Sequence, residues 1–252
     1  MTPSGTRADD LSRALERSEL FPVFQPQFSA ETGLIVAAEA LCRWRHAEDG
    51  LIPADEFIPL AEETGAIHAI GLFMLDQCFD ALDAWRSDGR TLEVSVNVSP
   101  LQLLTDDFVD QLADRFAERD LPALAVTIEI TETRPVPGSD EIARRLQRLR
   151  SLGVGVALDD YGTGHSSRGQ LEKLPLSEVK LDRSLVQTPP DDVAPLVDMV
   201  AWAHEHGIRV VAEGIETTEN LDFARSLASD RMQGYLLGLP VARSAIDGTM
   251  AV

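Results

Sequence analysis

The chain has 252 residues, 44% of them hydrophobic and 25% charged, the balance of a folded globular protein with room for one large domain. Its formal net charge of −20 disfavours broad binding to DNA, RNA or anionic membrane, although a small phosphorylated ligand can still dock where metal ions or a few cations reverse the field. The polar N-terminus is no secretory signal, no apolar run approaches a membrane span, and the two cysteines, Cys42 and Cys78, lie in apolar stretches, so the expectation is a cytoplasmic chain with reduced core thiols and no membrane contact.

Residues 1–14 are polar and are expected to form a flexible tail, with residues 15–252 a single domain. Two apolar runs, 22–28 and 34–44, follow with only Ser29 to Gly33 between them. A parallel crossover needs a dozen or more residues, so these runs predict an antiparallel hairpin. Helical periodicity then covers about 55–66 and 68–87. "LEVSVNVS" (92–99) reads as a strand, and 105–120 as a helix with Phe108, Leu112 and Phe116 on one face. The strand "LAVTIEIT" (124–131) precedes a helix from about Ser139 that Gly153 stops. "GVGVALDD" (153–160) and "EVKLDRS" (178–184) read as strands, 191–206 as a helix, and "RVVAEGIE" (209–216) as a strand. A helix near 217–228 and a short strand near 232–238 complete the series. Eight strands alternating with helices over about 250 residues predict a (β/α)8 barrel of the TIM type whose first strand is reversed.

Side chains alternate along a strand, so phase decides which residues meet. Val94, Val96 and Val98 oppose Ser95, Asn97 and Ser99; Val126, Ile128 and Ile130 oppose Thr127, Glu129 and Thr131. Val156 and Leu158 oppose Ala157 and Asp159, Val179 and Leu181 oppose Lys180 and Asp182, and Val210 and Ala212 oppose Val211 and Glu213. Glu39, Leu41 and Arg43 share a face of the second strand. In each case a bulky apolar face can pack on helices, while the other face carries a polar group near the strand's C-terminal end. Those ends converge at the rim where barrel active sites sit. Glu39, Asn97, Glu129, Asp159, Lys180 and Glu213 are therefore expected to point at one place.

Clustered carboxylates in a dry site cannot all remain ionised and unpaired. So many oxygen donors suit hard divalent cations, Mg2+ or Mn2+. Asp159 is in phase with the interior and Asp160 is not; a bend at Gly162-Thr163-Gly164 is the expected means of bringing both inward. Two cations about 4 Å apart can activate water and stabilise a leaving oxygen, the apparatus for splitting a phosphodiester. Lys180 would orient or deprotonate that water, or offset phosphate charge. Taken one at a time, Asp182, Glu132 and Glu216 fit equally well as helix caps or solvated acids. His204 and His206, two residues apart, do not share a helix face and read as helix-end residues.

The blocks "EALCRW", "SVNVSPLQL", "TIEITET", "ALDDYGTGHSS", "VKLDRSLV", "VVAEGIET" and "QGYLLGLP" stand in one order from about Leu20 to Val241. In that order and spacing they resemble the EAL-domain phosphodiesterases, which hydrolyse the bacterial second messenger cyclic di-GMP to linear pGpG. The resemblance implies a barrel with an antiparallel first strand and two Mg2+ or Mn2+ ions. It implies Glu39, Asn97, Glu129 and Asp159 as ligands of one ion, and Asp159, Asp160 and Glu213 as ligands of the other. Lys180 resembles the family's water-positioning or general-base lysine, and Gln233 its active-site glutamine. Glu132 and Glu216 look like supporting acids, and Gln25, Leu41, Arg43 and Asp182 match substrate contacts. The family commonly dimerises near the loop after the aspartate pair, here Gly162 to Arg168, so a homodimer is implied. That loop departs from the usual family sequence at Tyr161, His165 and Arg168. The departure sustains an alternative: a catalytically weak or inactive domain that binds cyclic di-GMP or docks a protein partner. A two-metal phosphoesterase with another substrate is a third reading.

Overall fold

The computed structural model describes residues 4–131, 139–163 and 168–246. Strands β1 (Leu20–Ser29) and β2 (Ile35–His46) form the expected antiparallel hairpin, with Gln25 opposite Glu39. A three-residue strand, β3 (Gly50–Ile52), extends the far end of β2 as a flap. Strands β4 (Glu93–Asn97), β5 (Val126–Thr131), β6 (Gly155–Tyr161), β7 (Glu178–Leu181) and β8 (Arg209–Ala212) follow in parallel register from β2. The last strand, β9 (Arg231–Met232), is parallel to β8 and antiparallel to β1. The β1–β2 pairing closes the ring, giving an eight-stranded barrel of TIM type whose first strand runs against both neighbours.

The phase argument explains the layers. Val94, Val96, Val126, Ile128, Val156, Leu158, Val179, Leu181, Val210 and Ala212 are all buried. They belong to the same core as Phe79 and Leu82 of the Ile67–Ser87 helix, Leu112 and Phe116 of the Asp106–Ala117 helix, Leu146 and Leu149 of the Ser139–Ser151 helix, and Val200 of the Ala194–Glu205 helix. Each large apolar side chain so buried contributes roughly 1.5–3 kcal/mol against exposure. The opposite phase lines the barrel. At the end where the strands begin, Arg209 lies 2.9 Å from Glu93 and 3.2 Å from Glu178, and Arg231 lies 2.8 Å from Glu93. Two acids and two guanidiniums thus close one end, leaving the other end for chemistry.

Three expectations need correction. Residues 4–14 are not a tail: Ser4–Ala14 form a helix, α1, because Leu11 and Ala14, three residues apart, make one apolar stripe that is buried. Arg7 pairs with Asp49 at 3.0 Å, and Asp10 meets His46 at 3.4 Å, fastening α1 beside the end of β2. The last strand is only two residues long. Beyond it the chain turns at Gly234, which lies so close to Ile215 that a Cβ there would fall 2.2 Å from the Ile215 backbone nitrogen. Finally, the short flap β3 was not expected.

Candidate active site

The C-terminal ends of the strands bring the expected side chains together around one amine. Lys180, on β7 and almost wholly buried, places its Nζ 2.7 Å from Glu213, 2.8 Å from Glu129, 3.2 Å from Asp159 and 3.3 Å from Glu39. These acids come from β5, β6, β2 and the residue just after β8. Glu39 is held from three sides. Asn97 Nδ2 donates to its Oε1 at 2.9 Å, while Gln233 Nε2, at 2.7 Å, and Lys180 donate to its Oε2. Gln233 is itself fixed by β1: it accepts from Gln27 at 2.9 Å and donates to Gln25 at 3.1 Å. Gln27 follows Gln25 by two residues and so shares its face of the strand. That alternation in "PVFQPQF" was the available signal for Gln27, which the sequence reading did not single out.

Asp160 begins the expected turn, with Gly162 at φ +110° and the Thr163 amide donating to the Asp160 carbonyl at 3.3 Å, but the inward aim is set at Asp160 itself. Its own backbone is left-handed, with φ +59°. The β6–β7 register jumps there, from Leu158 opposite Val179 to Tyr161 opposite Leu181. Two residues of β6 are thus inserted against one of β7, a bulge that re-aims the out-of-phase carboxylate toward the interior. Left-handed backbone is costly for a residue with a Cβ and is concentrated at functional sites. Of the turn Gly162-Thr163-Gly164, Gly164 lies outside the described residues.

Crowding sets the protonation of the cluster. Burial pushes the Glu129 carboxyl well above its ordinary range, with Glu39 adding to the push and Lys180 opposing it. Glu213 is likewise raised, by burial above all, although Lys180 pulls against it. For Glu39 burial again pushes upward, yet Lys180 with the donors Gln233 and Asn97 wins, and its carboxyl is held low. Burial and the neighbouring Asp159 lift Asp160 to about 6. Burial disfavours the Lys180 ammonium, but Asp159, Glu129, Glu213 and Glu39 together hold its amine protonated, well above the ordinary lysine value. The amine is a fixed cation and donor here.

The donor set fits hard divalent cations. Ligand oxygens of Asp159, Asp160 and Glu213 lie within 4.8 Å of one another. Oε1 of Glu129, fully buried, has no hydrogen-bond partner among the described residues. Buried anionic oxygens without partners are what Mg2+ or Mn2+ would satisfy.

Above the cluster opens a cleft of about 370 Å3, lined among others by Gln25, Asp160, Asp182, Arg183, Glu216 and Tyr235. Asp182 also caps the short helix that follows it, accepting from the Ser184 amide at 2.9 Å. Not every expected residue converges. Leu41 and Arg43 are half-buried and do not line the cleft; Arg43 donates to the Cys42 carbonyl at 2.9 Å. Glu132 and His165 lie outside the described residues, as does the side chain of Arg168. Arg183 and Tyr235 are cleft residues that the phase argument missed, because they follow the strands instead of belonging to them.

The model of a family described as "EAL domain" matches residues 8–240. A bifunctional diguanylate cyclase/cyclic di-GMP phosphodiesterase, MucR of Pseudomonas aeruginosa, is 35% identical over 246 residues, covering 96% of this chain and 36% of the relative. The oxygen sensor protein DosP of Escherichia coli is 36% identical over 245 residues, covering 96% of this chain and 31% of DosP. The chain thus spans about a third of the length of these curated relatives. The solved structure described as PaMucR phosphodiesterase, c-di-GMP complex, superposes with a TM-score of 0.87 at 34% identity, covering 95% of this chain and 98% of that one.

Proposed function

Because this chain belongs to the EAL-domain family, we propose that it is a metal-dependent phosphodiesterase hydrolysing cyclic di-GMP to linear pGpG. One observation carries the reading: Glu39, Glu129, Asp159 and Glu213, from four separate segments, surround Lys180 at the open end of the barrel, with Asn97 and Gln233 bonded to Glu39. The solved relative in complex with c-di-GMP supports the choice of substrate.

In this reading Glu39, Asn97, Glu129 and Asp159 would hold one divalent cation, and Asp159, Asp160 and Glu213 would hold the other. Two Mg2+ or Mn2+ ions, when bound, supply activation of water and stabilisation of the leaving oxygen. The chain supplies the rest. Lys180, kept protonated by its four carboxylates, donates toward the reacting water and offsets phosphate charge. Gln233, locked by Gln25 and Gln27, keeps the Glu39 carboxylate in one orientation. Asp160, lifted to about 6 without metal, would be held ionised by a bound cation, so it binds metal more readily as pH rises. Gln25 and Asp182 contact the substrate from the cleft walls; for Leu41 and Arg43, on β2 outside the cleft, only the likeness to the family supports a substrate contact. Glu216 supports the site from the cleft edge; the same role for Glu132, outside the described residues, rests on the likeness to the family alone. The likeness to the family further supports a homodimer acting in the cytoplasm. No helix among the described residues is long and apolar enough to cross a membrane.

The test is turnover of cyclic di-GMP with Mg2+ or Mn2+, with metal omitted as the control. Product pGpG that vanishes in Asp159→Asn supports the proposal. Tight binding of cyclic di-GMP without turnover would favour the binding-module alternative instead.

A further inference from the structure

We propose that Arg183 selects ligands carrying a second phosphate, gripping the phosphate that is not being cut; the proposal rests on the cyclic dinucleotide reading above. Among the described residues the cleft is lined by six acids, Glu39, Asp159, Asp160, Asp182, Glu213 and Glu216, and by two cations, Lys180 and Arg183. Lys180 is buried and surrounded by three of those acids, Glu39, Asp159 and Glu213, and by Glu129 beneath them. Arg183 is exposed, and among the described residues its guanidinium forms no ion pair or hydrogen bond. Its neighbour Asp182 is engaged elsewhere, accepting from the amide and the hydroxyl of Ser184. Among the described residues, an anionic ligand entering this acid-lined cleft thus meets one cation that is still free to answer it.

The position of Arg183 is built into the fold. It is the first residue of the helix Arg183–Gln187, and Gln187 ties that helix to the carbonyl of Gly214 at 2.8 Å. Gly214 has φ +68°, and a Cβ there would fall 2.2 Å from Cβ of Arg183. Glycine at 214 therefore lets the stem of Arg183 lie directly on the turn after Glu213. The base of the Arg183 side chain is thereby fixed beside the turn after Glu213, while its guanidinium stays free to reach a ligand in the cleft. Its planar fork matches two phosphate oxygens, which a lysine cannot do. A ligand with one phosphodiester needs only the carboxylate centre; one with two phosphates gains the second contact at Arg183.

The experiment compares Arg183→Ala and Arg183→Lys with the wild-type protein on two ligands: cyclic di-GMP, with two phosphates, and guanylyl-guanosine, with one. Steady-state KM and kcat are measured with Mg2+, and dissociation constants are measured by titration calorimetry in EDTA. A charge-assisted contact of this kind corresponds to a loss of about 10- to 100-fold. Arg183→Ala is expected to raise KM and Kd for cyclic di-GMP by that factor, to leave kcat within about twofold, and to leave guanylyl-guanosine unaffected. Arg183→Lys should fall between. Equal weakening of both ligands, or no weakening of cyclic di-GMP, overturns the proposal. If the wild-type protein binds cyclic di-GMP but does not turn it over, the hydrolase reading fails while the dissociation constants still decide the role of Arg183. If neither turnover nor binding occurs, both fail.

Discussion

Replacing Lys180 with methionine keeps the length and apolar stem of the side chain and removes only its charge. In the structure that charge sits within 3.3 Å of oxygens from four carboxylates, three of them, Glu39, Glu129 and Asp159, buried and Glu213 largely so. Breaking a buried ion pair by deleting one partner costs about 3–5 kcal/mol, because the remaining charge stays buried without compensation. Here several acids lose their partner at once, so Lys180→Met is expected to reach the upper part of that range at pH 7.5 in EDTA. Urea unfolding followed by tryptophan fluorescence reads it, since Trp44, Trp85 and Trp202 are all buried. The loss should shrink at pH 5, where Glu129 and Glu213, already raised, carry protons. It should also shrink in millimolar Mg2+, which replaces the missing cation. A Lys180→Met protein within about 1 kcal/mol of wild type at pH 7.5 in EDTA would refute the reasoning.

Other consequences are more local. Asp160→Gly relieves a left-handed backbone and one like charge, so without divalent cations it should be more stable by about 1 kcal/mol, yet lose hydrolysis; thermal melts and an activity assay check the pair. Gly234→Ala sets a Cβ against the Ile215 backbone and should cost about 3 kcal/mol, at the severe end for a single change, seen as a large drop in melting temperature. In EDTA the wild-type protein should lose stability as pH rises from about 4.5 toward neutrality. Glu129 and Glu213 keep protons in the folded state that the unfolded chain has already released, so unfolding releases protons. A stability that climbs over that window contradicts the assigned directions.

Much of this site was legible because strand phase is a rigid constraint. Glu39, Asn97, Glu129, Asp159, Lys180 and Glu213 belong to or directly follow strands whose opposite faces are apolar, mostly Val, Ile and Leu but Ala38, Ala40 and Cys42 on β2, so their direction follows from alternation alone. What phase could not reach lies where the alternation breaks. Asp160 turns inward through its own left-handed backbone and a bulge, which no pattern of apolar residues announces. Arg183 and Tyr235 follow strand ends, where direction depends on the turn. The helix α1 was hidden by its polar composition; only Leu11 and Ala14 signal it. The ion cage of Glu93, Glu178, Arg209 and Arg231 falls at the first residue of four strands, where a charge reads equally well as solvated.

The central claim is that carboxylates gathered from distant segments serve one hydrolytic reaction. The most direct measurement is the conversion of cyclic di-GMP by the purified chain, followed by chromatography with and without Mg2+ or Mn2+. Linear pGpG appearing only when metal is present is the result expected; intact cyclic di-GMP after incubation with folded, metal-supplied protein would contradict it.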